Sequence, residues 1–235
     1  MGFFDFLTGM DLYKDNQNIA FRMNARHGFL IEPFLKEIKG ARVFDIASHD
    51  GRWAYAFAAA GAKEVIGVEA RQNLIDEFSG FPDADLRNRV ELRCNDLFKE
   101  LESEAHKGET YDVVSVFGIL YHIMDHFRLL QLVKELQPKL IIVDSDFMDR
   151  SFPMIQMQRE RTFNILNAAP QFEGQEHTMV GYPSFKALEM MADVLGYDTV
   201  WMDWNSVPKD QRKGIWDYYR DTGKRRGTCA LIPRG

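Results

Sequence analysis

Glu69 is the residue from which chemistry is most readily read. It follows Val65, Ile66 and Val68, an apolar run rich in strand formers, and so stands just past a strand tip. The chain before it reads as strand, turn and helix. Val43, Phe44 and Ile46 form the first strand, Ser48-His49-Asp50-Gly51 a turn, and alanine-rich Trp53 to Ala60 a helix stopped by Gly61. In an open parallel sheet, ligands bind outside the carboxyl ends of the strands, where the first turn meets a helix start. An acid at the tip of the second strand can accept both hydroxyls of a ribose, so Ala41 to Arg71 fits a nucleotide-like cofactor. The competing reading is a βαβ unit with no ligand.

Other residues offer weaker chemistry. His122 and His126 are four apart, with Asp125 between them. On a helix both imidazoles share one face, as a divalent-metal pair would. No third ligand is near in sequence unless Asp144 or Asp146 joins, so no metal is assigned. Those two acids follow the run Leu140 to Val143 and either bind an amine or sugar hydroxyl or act as caps. Arg22 and Arg26 lie one helical turn apart. They either grip a carboxylate in bidentate fashion or form a solvated basic face. His177 could act from across a pocket, and Lys224-Arg225-Arg226 reads as a basic turn that is solvated or touches a phosphate.

The unit from Asp45 to Arg71 resembles the first two motifs of the class I S-adenosylmethionine-dependent methyltransferases. The family pattern Asp-x-Gly-x-Gly-x-Gly aligns with Asp45-Ile46-Ala47-Ser48-His49-Asp50-Gly51, with Ala47 and His49 in place of two glycines. Glycine there allows tight turning and close backbone approach, so the expectation is a slightly different loop or a cofactor seated farther out. The resemblance implies S-adenosylmethionine as cofactor, with contacts from Asp45, Ala47, His49, Gly51, Glu69 and Ala70. After the strand Val90 to Arg93, Asp96 would take the adenine amino group while Leu97 or Phe98 packs on the ring, with Asn95 as a further cofactor contact. Asp96 also reads as a helix N-cap.

The nearly continuous apolar run Tyr111 to Phe117 suits a central strand buried on both faces. Gly118-Ile119-Leu120-Tyr121-His122 follows it and is similar to a run in the carboxymethyl-transferring enzymes of tRNA wobble uridines and their relatives. By that resemblance the strand tip faces the transferring methyl group and Gly118 contacts the cofactor. His122 is then either a base or a histidine that holds the loop through backbone. Tyr121 orients the acceptor, faces the sulfonium, or simply packs. Arg26 is the arginine chosen for the cofactor carboxylate.

The elements that must position these groups fit one domain over residues 1–235, with 1–39 as an N-terminal helical lid and 147–181 as an acceptor-pocket insertion. Asn16 to Ile38 reads as one helix, Leu74 to Phe78, Leu129 to Leu136 and Ser184 to Leu195 as others, and Pro208 to Arg220 as a further one. Asp198 to Met202 and Gly227 to Ile232 read as strands. The expected fold is α/β, a Rossmann-like seven-stranded methyltransferase sheet, mostly parallel with one antiparallel strand, and helices on both faces.

Composition narrows the partners. A net charge of −6 disfavours a broad nucleic-acid surface. Cys94 and Cys229 form no metal spacing or disulfide framework, which suits a reducing, cytoplasmic compartment. No apolar run spans a bilayer, and the start has no signal-peptide pattern. The expected acceptor is a small molecule methylated on nitrogen or oxygen, with a modified tRNA as the alternative; oligomeric state is left open. A nicotinamide dehydrogenase would need a Gly-x-Gly-x-x-Gly turn, which the chain lacks. A non-catalytic cofactor-binding relative is the other reading, supported by the missing glycines.

Overall fold

Along β1 (Arg42–Ile46) successive side chains alternate between two cores. Val43 packs on one face of the sheet, with Trp53, Phe57 and Val65. Phe44 and Ile46 pack on the other, with Ile66, Val68, Val114 and Val116. Burial on both faces is what a central parallel strand requires, and each such side chain contributes about 1.5–3 kcal/mol. This computed structural model describes residues 2–235; Met1, the first residue of the expected lid, lies outside them.

In chain order the elements are α1 (Ile19–Leu30), α2 (Leu35–Ile38), β1, α3 (Arg52–Ala59), β2 (Glu64–Glu69), α4 (Gln72–Asp76), α5 (Ala84–Arg87), β3 (Val90–Cys94), α6 (Leu97–Lys107) and β4 (Val113–Phe117). There follow α7 (His126–Glu135), β5 (Leu140–Met148), β6 (Ile155–Arg161), β7 (His177–Pro183), α8 (Phe185–Val194), β8 (Tyr197–Trp201) and β9 (Lys224–Pro233). The main sheet has the order β3-β2-β1-β4-β5-β9-β8. Its strands are parallel except β9, which runs against both β5 and β8. That is the expected seven-stranded α/β sheet. The chain reverses direction across the sheet between β1 and β4, so the tips of β1, β2 and β4 open onto one crevice.

Several sequence expectations need correcting. The helix expected over residues 16–38 is broken at Ile31, where Pro33 starts a 3-10 turn (Glu32–Phe34), because proline cannot supply the helical N–H. The fifth strand does not end at Val143. It runs to Met148, so Asp144 and Asp146 lie within it, paired with Thr228 and Arg226 of β9. The Lys224–Arg226 run opens β9 and is not a turn. Pro208 to Arg220 forms only short 3-10 turns, interrupted by Gly214 at φ +81°. The insertion after β5 is a two-stranded hairpin, β6 with β7, outside the main sheet.

The N-terminal segment packs its aromatics onto α3. Phe4 meets Trp53 edge-on with centroids 5.1 Å apart, and Phe6 meets Tyr55 at 5.6 Å. Both cysteines are free, Cys94 exposed and Cys229 buried. Among the described residues no helix is long and apolar enough to cross a membrane.

Candidate active site

The turn after β1 carries the sharpest local feature. Ala47, His49 and Gly51 all sit in the left-handed region, at φ +55°, +57° and +79°. The non-glycine residues Ala47 and His49 thus adopt backbone that favours glycine. Such residues carry strain of roughly 1–2 kcal/mol each, so neighbouring contacts must enforce it. Glu69 provides one. Its Oε2 accepts the His49 N–H at 3.0 Å and its Oε1 the Arg71 N–H at 3.0 Å. A second hold is Asp50, fully buried, which accepts Arg52 Nε at 2.6 Å and the Tyr13 hydroxyl. Burial opposes ionisation of Asp50, but Arg52 outweighs it and holds the carboxyl well below the usual range. Burial, with Arg52 adjacent, lowers the His49 pKa. Because the strain at Ala47 is released by glycine, Ala47→Gly is expected to leave stability unchanged or raise it by up to about 1 kcal/mol in urea denaturation. The same change in an ordinary helix costs about 1 kcal/mol.

A cleft of about 1690 Å³ runs across the tips of β1, β2 and β4. Ala47, His49, Glu69, Ala70, Asn95, Asp96, Leu97, Gly118, Tyr121, His122 and Arg26 all line it. Asp45, within β1, and Gly51, at the end of the turn, are expected as direct contacts; both are instead buried and do not line the cleft. A Cβ on Gly51 would lie 2.7 Å from Phe78 and 2.8 Å from Leu92, so packing explains that glycine. Asp45 accepts the Ser115 hydroxyl at 2.5 Å through Oδ1, while its buried Oδ2 has no partner.

Burial pushes the Asp45 carboxyl up to about 7. A raised folded-state pKa means that this group favours the fold below about pH 4 and loses that contribution as pH climbs to about 7. Asp45→Asn removes the effect. Its stability relative to wild type should therefore improve by up to about 4 kcal/mol between pH 4 and pH 8, read from urea midpoints.

Asp96 caps α6, its Oδ1 accepting Phe98 and Lys99 N–H at 3.0 and 3.1 Å, and still faces the cleft. Both sequence readings of Asp96 thus describe compatible geometry. Asn95 donates to Glu100 at 2.8 Å, which fixes its amide. Gly118 sits at φ +71°, tied by its N–H to the Asp144 carbonyl at 2.8 Å.

The arginines are not a solvated face. Arg26 Nη2 and Arg226 Nε both donate to Asp144 Oδ1, at 2.7 and 2.5 Å. Tyr218 and Thr228 hydroxyls donate to Oδ2, each at 2.6 Å. Burial opposes ionisation of Asp144, but the two guanidinium groups hold its carboxyl far below the usual range. Arg26 also lies over the Trp53 ring at 5.0 Å, and Arg22 pairs with Asp217 at 2.6 Å. Asp144 is therefore committed to protein partners, and the cluster ties α1, β5 and β9 together at the cleft wall.

His122 and His126 diverge instead of sharing a face. His126 Nε2 lies 2.7 Å from the Leu120 carbonyl and 3.0 Å from that of Gly181, inside the protein. His122 Nδ1 lies 2.8 Å from Glu160 Oε2, on β6. Among the described residues no group of three or more His, Cys, Asp or Glu comes together to hold a metal. Tyr121 stacks on Tyr182, with centroids 5.7 Å apart, and receives a long 3.4 Å contact from Arg226. His177 lies on β7 beside Arg159, 3.3 Å away, and does not line the cleft.

Sequence reasoning missed two residues. Arg71 donates to the carbonyls of Asn167, Asn164, Thr162 and Ala168 at 2.9–3.4 Å and so pins the hairpin loop beside Glu69. Its adjacency to Glu69 was the available signal. Glu160 had no local signal, because only the packing of the hairpin against the turn after β4 brings it to His122. A second cavity, about 450 Å³, lies past the ends of β5 and β8 against Phe185, Trp201 and Trp204, and shares Arg226 with the main cleft.

Residues 9–203 match a family model described as a methyltransferase domain. The chain belongs to that methyltransferase family. By family and fold it is an S-adenosylmethionine-dependent methyltransferase. It is 26% identical over 127 residues to the tRNA U34 carboxymethyltransferase of Psychrobacter arcticus, covering 49% of this chain and 36% of that one. It is 33% identical over 86 residues to the enzyme of that name from Pseudomonas aeruginosa, covering 37% and 26%. The methyltransferase chain thus spans well under half the length of these relatives. Its fold is similar to that of the N-terminal domain of EvdMO1 with SAH and D-fucose, at TM-score 0.64 and 14% identity over 94% of this chain and 84% of that one. It is also similar to the DhpI–SAH complex, at 0.58 and 16% over 95% and 91%.

The residues present fit the donor. Each Glu69 oxygen accepts one backbone N–H, and a carboxylate has about four acceptor positions, so two remain for a pair of vicinal hydroxyls. The Asp96 Oδ2 is likewise outside its capping bonds. Leu97 offers apolar surface beside it.

Proposed function

We propose that this methyltransferase transfers a methyl group to nitrogen or oxygen of a small molecule, in a reducing compartment such as the cytoplasm. The observation that carries the reading is the wall of the cleft. Residues 165–168 of the loop pinned by Arg71 line the same space as Tyr121 and His122. A walled space beside a strand tip suits a compact acceptor.

S-adenosylmethionine supplies, when bound, an activated methyl group on a sulfonium. Glu69 would hold the ribose, and Asn95, Asp96 and Leu97 the adenine. Ala47, His49, Ala70 and Gly118 supply the floor, and Arg26 stands at the wall nearest Asp144. Tyr121, stacked on the buried Tyr182 behind it, presents an aromatic side that orients the acceptor and excludes water. Holding reactants in line supplies roughly 7–11 kcal/mol. His122 takes the acceptor's proton, worth about 10²–10⁴-fold where the acceptor is protonated.

Transfer to a tRNA is the second reading, favoured by the partial likeness to U34 carboxymethyltransferases. The net charge of −6 weighs against it. Incubation with trideuteromethyl donor separates the two. Label in a small-molecule extract, and none in tRNA, is the expected outcome; label confined to tRNA nucleosides would overturn the proposal.

A further inference from the structure

The His122–Glu160 pair is more enclosed than an adventitious surface contact. The side chains are 13% and 10% exposed, with Nδ1 and Oε2 2.8 Å apart. The same Oε2 accepts the Ala168 N–H at 2.8 Å. A carboxylate that already accepts one N–H and faces a ring nitrogen at this distance needs a proton between them, since two lone pairs there would repel. The neutral ring must then carry its proton on Nδ1, leaving Nε2 as the acceptor.

We propose that Glu160 is a positioning residue, which fixes His122 in the Nδ1–H tautomer and so makes Nε2 the base for methyl transfer. This inference rests on the reading of His122 as the proton acceptor. Free imidazole has no such fixed choice, and a ring with the opposite tautomer would present a donor where the reaction needs an acceptor. In the transfer step the acceptor's N–H or O–H proton moves to Nε2. The methyl carbon bonds to that nitrogen or oxygen, and the C–S bond electrons return to sulfur. His122 becomes an imidazolium, opposite the Glu160 carboxylate, and later releases the proton to water. Glu160 reaches this place from the hairpin that also carries the loop pinned by Arg71, so one element both lines the cleft and sets the base.

The test reads the tautomer directly. Chain labelled with 15N-histidine is examined by two-bond 1H–15N correlation, with His122→Gln assigning the signals. The wild type should show Nδ1–H at a pH where the ring is neutral. Glu160→Ala removes the acceptor that faces Nδ1, so the single Nδ1–H tautomer should give way to a population with the proton on Nε2. Affinity for S-adenosylhomocysteine should stay within about twofold, and kcat with the trideuteromethyl donor should fall at least tenfold with KM little changed. Wild-type Nε2–H, or an unaltered tautomer in Glu160→Ala, would overturn the proposal, and the wild-type spectrum decides even if the variant misfolds. Failure of the wild type to bind S-adenosylhomocysteine would instead refute the donor reading while leaving the tautomer result standing.

Discussion

Glu69→Ala is expected to weaken S-adenosylhomocysteine binding by at least about 100-fold in titration calorimetry. The carboxylate is placed to accept two hydroxyls, and hydrogen bonds to a charged group contribute about 1.5–3 kcal/mol each. The same oxygens also hold the His49 and Arg71 N–H groups. Alanine therefore removes the ligand contact and one restraint on the left-handed turn together. Glu69→Gln separates these effects, because one acceptor oxygen survives; an intermediate loss is expected. Full affinity in Glu69→Ala would remove Glu69 from the donor site.

Asp144→Ala should produce the largest loss of stability. Arg26 and Arg226 are each 7% exposed, and both lean on this one carboxylate. Removing it leaves two buried guanidinium charges and two hydroxyls without their acceptor. Breaking a buried pair from one side costs about 3–5 kcal/mol. For a chain of this size that corresponds to a fall in Tm of roughly 6–20 °C, read by calorimetry. The folded-state pKa of Asp144 lies well below its ordinary value of 3.8. Its contribution is therefore complete above about pH 4 and lost as pH falls further, so the gap between wild type and variant should narrow in acid. A pH-independent gap would show that the carboxylate's charge is not what stabilises the cluster.

The β1–α3–β2 unit was legible because its signals are local: alternation, an alanine-rich helix, glycine stops and an acid at a strand tip. The left-handed backbone at Ala47 and His49 was not, since it is imposed by Glu69 across the turn rather than by the residues themselves. Asp144 was read as a strand end because aspartate rarely suits a strand interior. Its partners Arg26 and Arg226 lie 118 and 82 residues away, and only folding brings them to it. The same holds for Glu160 and His122, 38 residues apart. The basic run at Lys224 looked solvated by composition, yet Arg226 is drawn inward by that carboxylate. Local pattern therefore located the β1 and β2 tips of the cleft better than the walls built from distant segments.

A crystal structure grown with S-adenosylhomocysteine tests the central claim most directly. The account predicts the ribose hydroxyls on Glu69, the adenine beside Asp96 and Leu97, and the sulfur directed toward Tyr121 and His122. The ligand lodged in the smaller cavity beside Trp201 and Trp204, or bound in the cleft with Glu69 untouched, would contradict it.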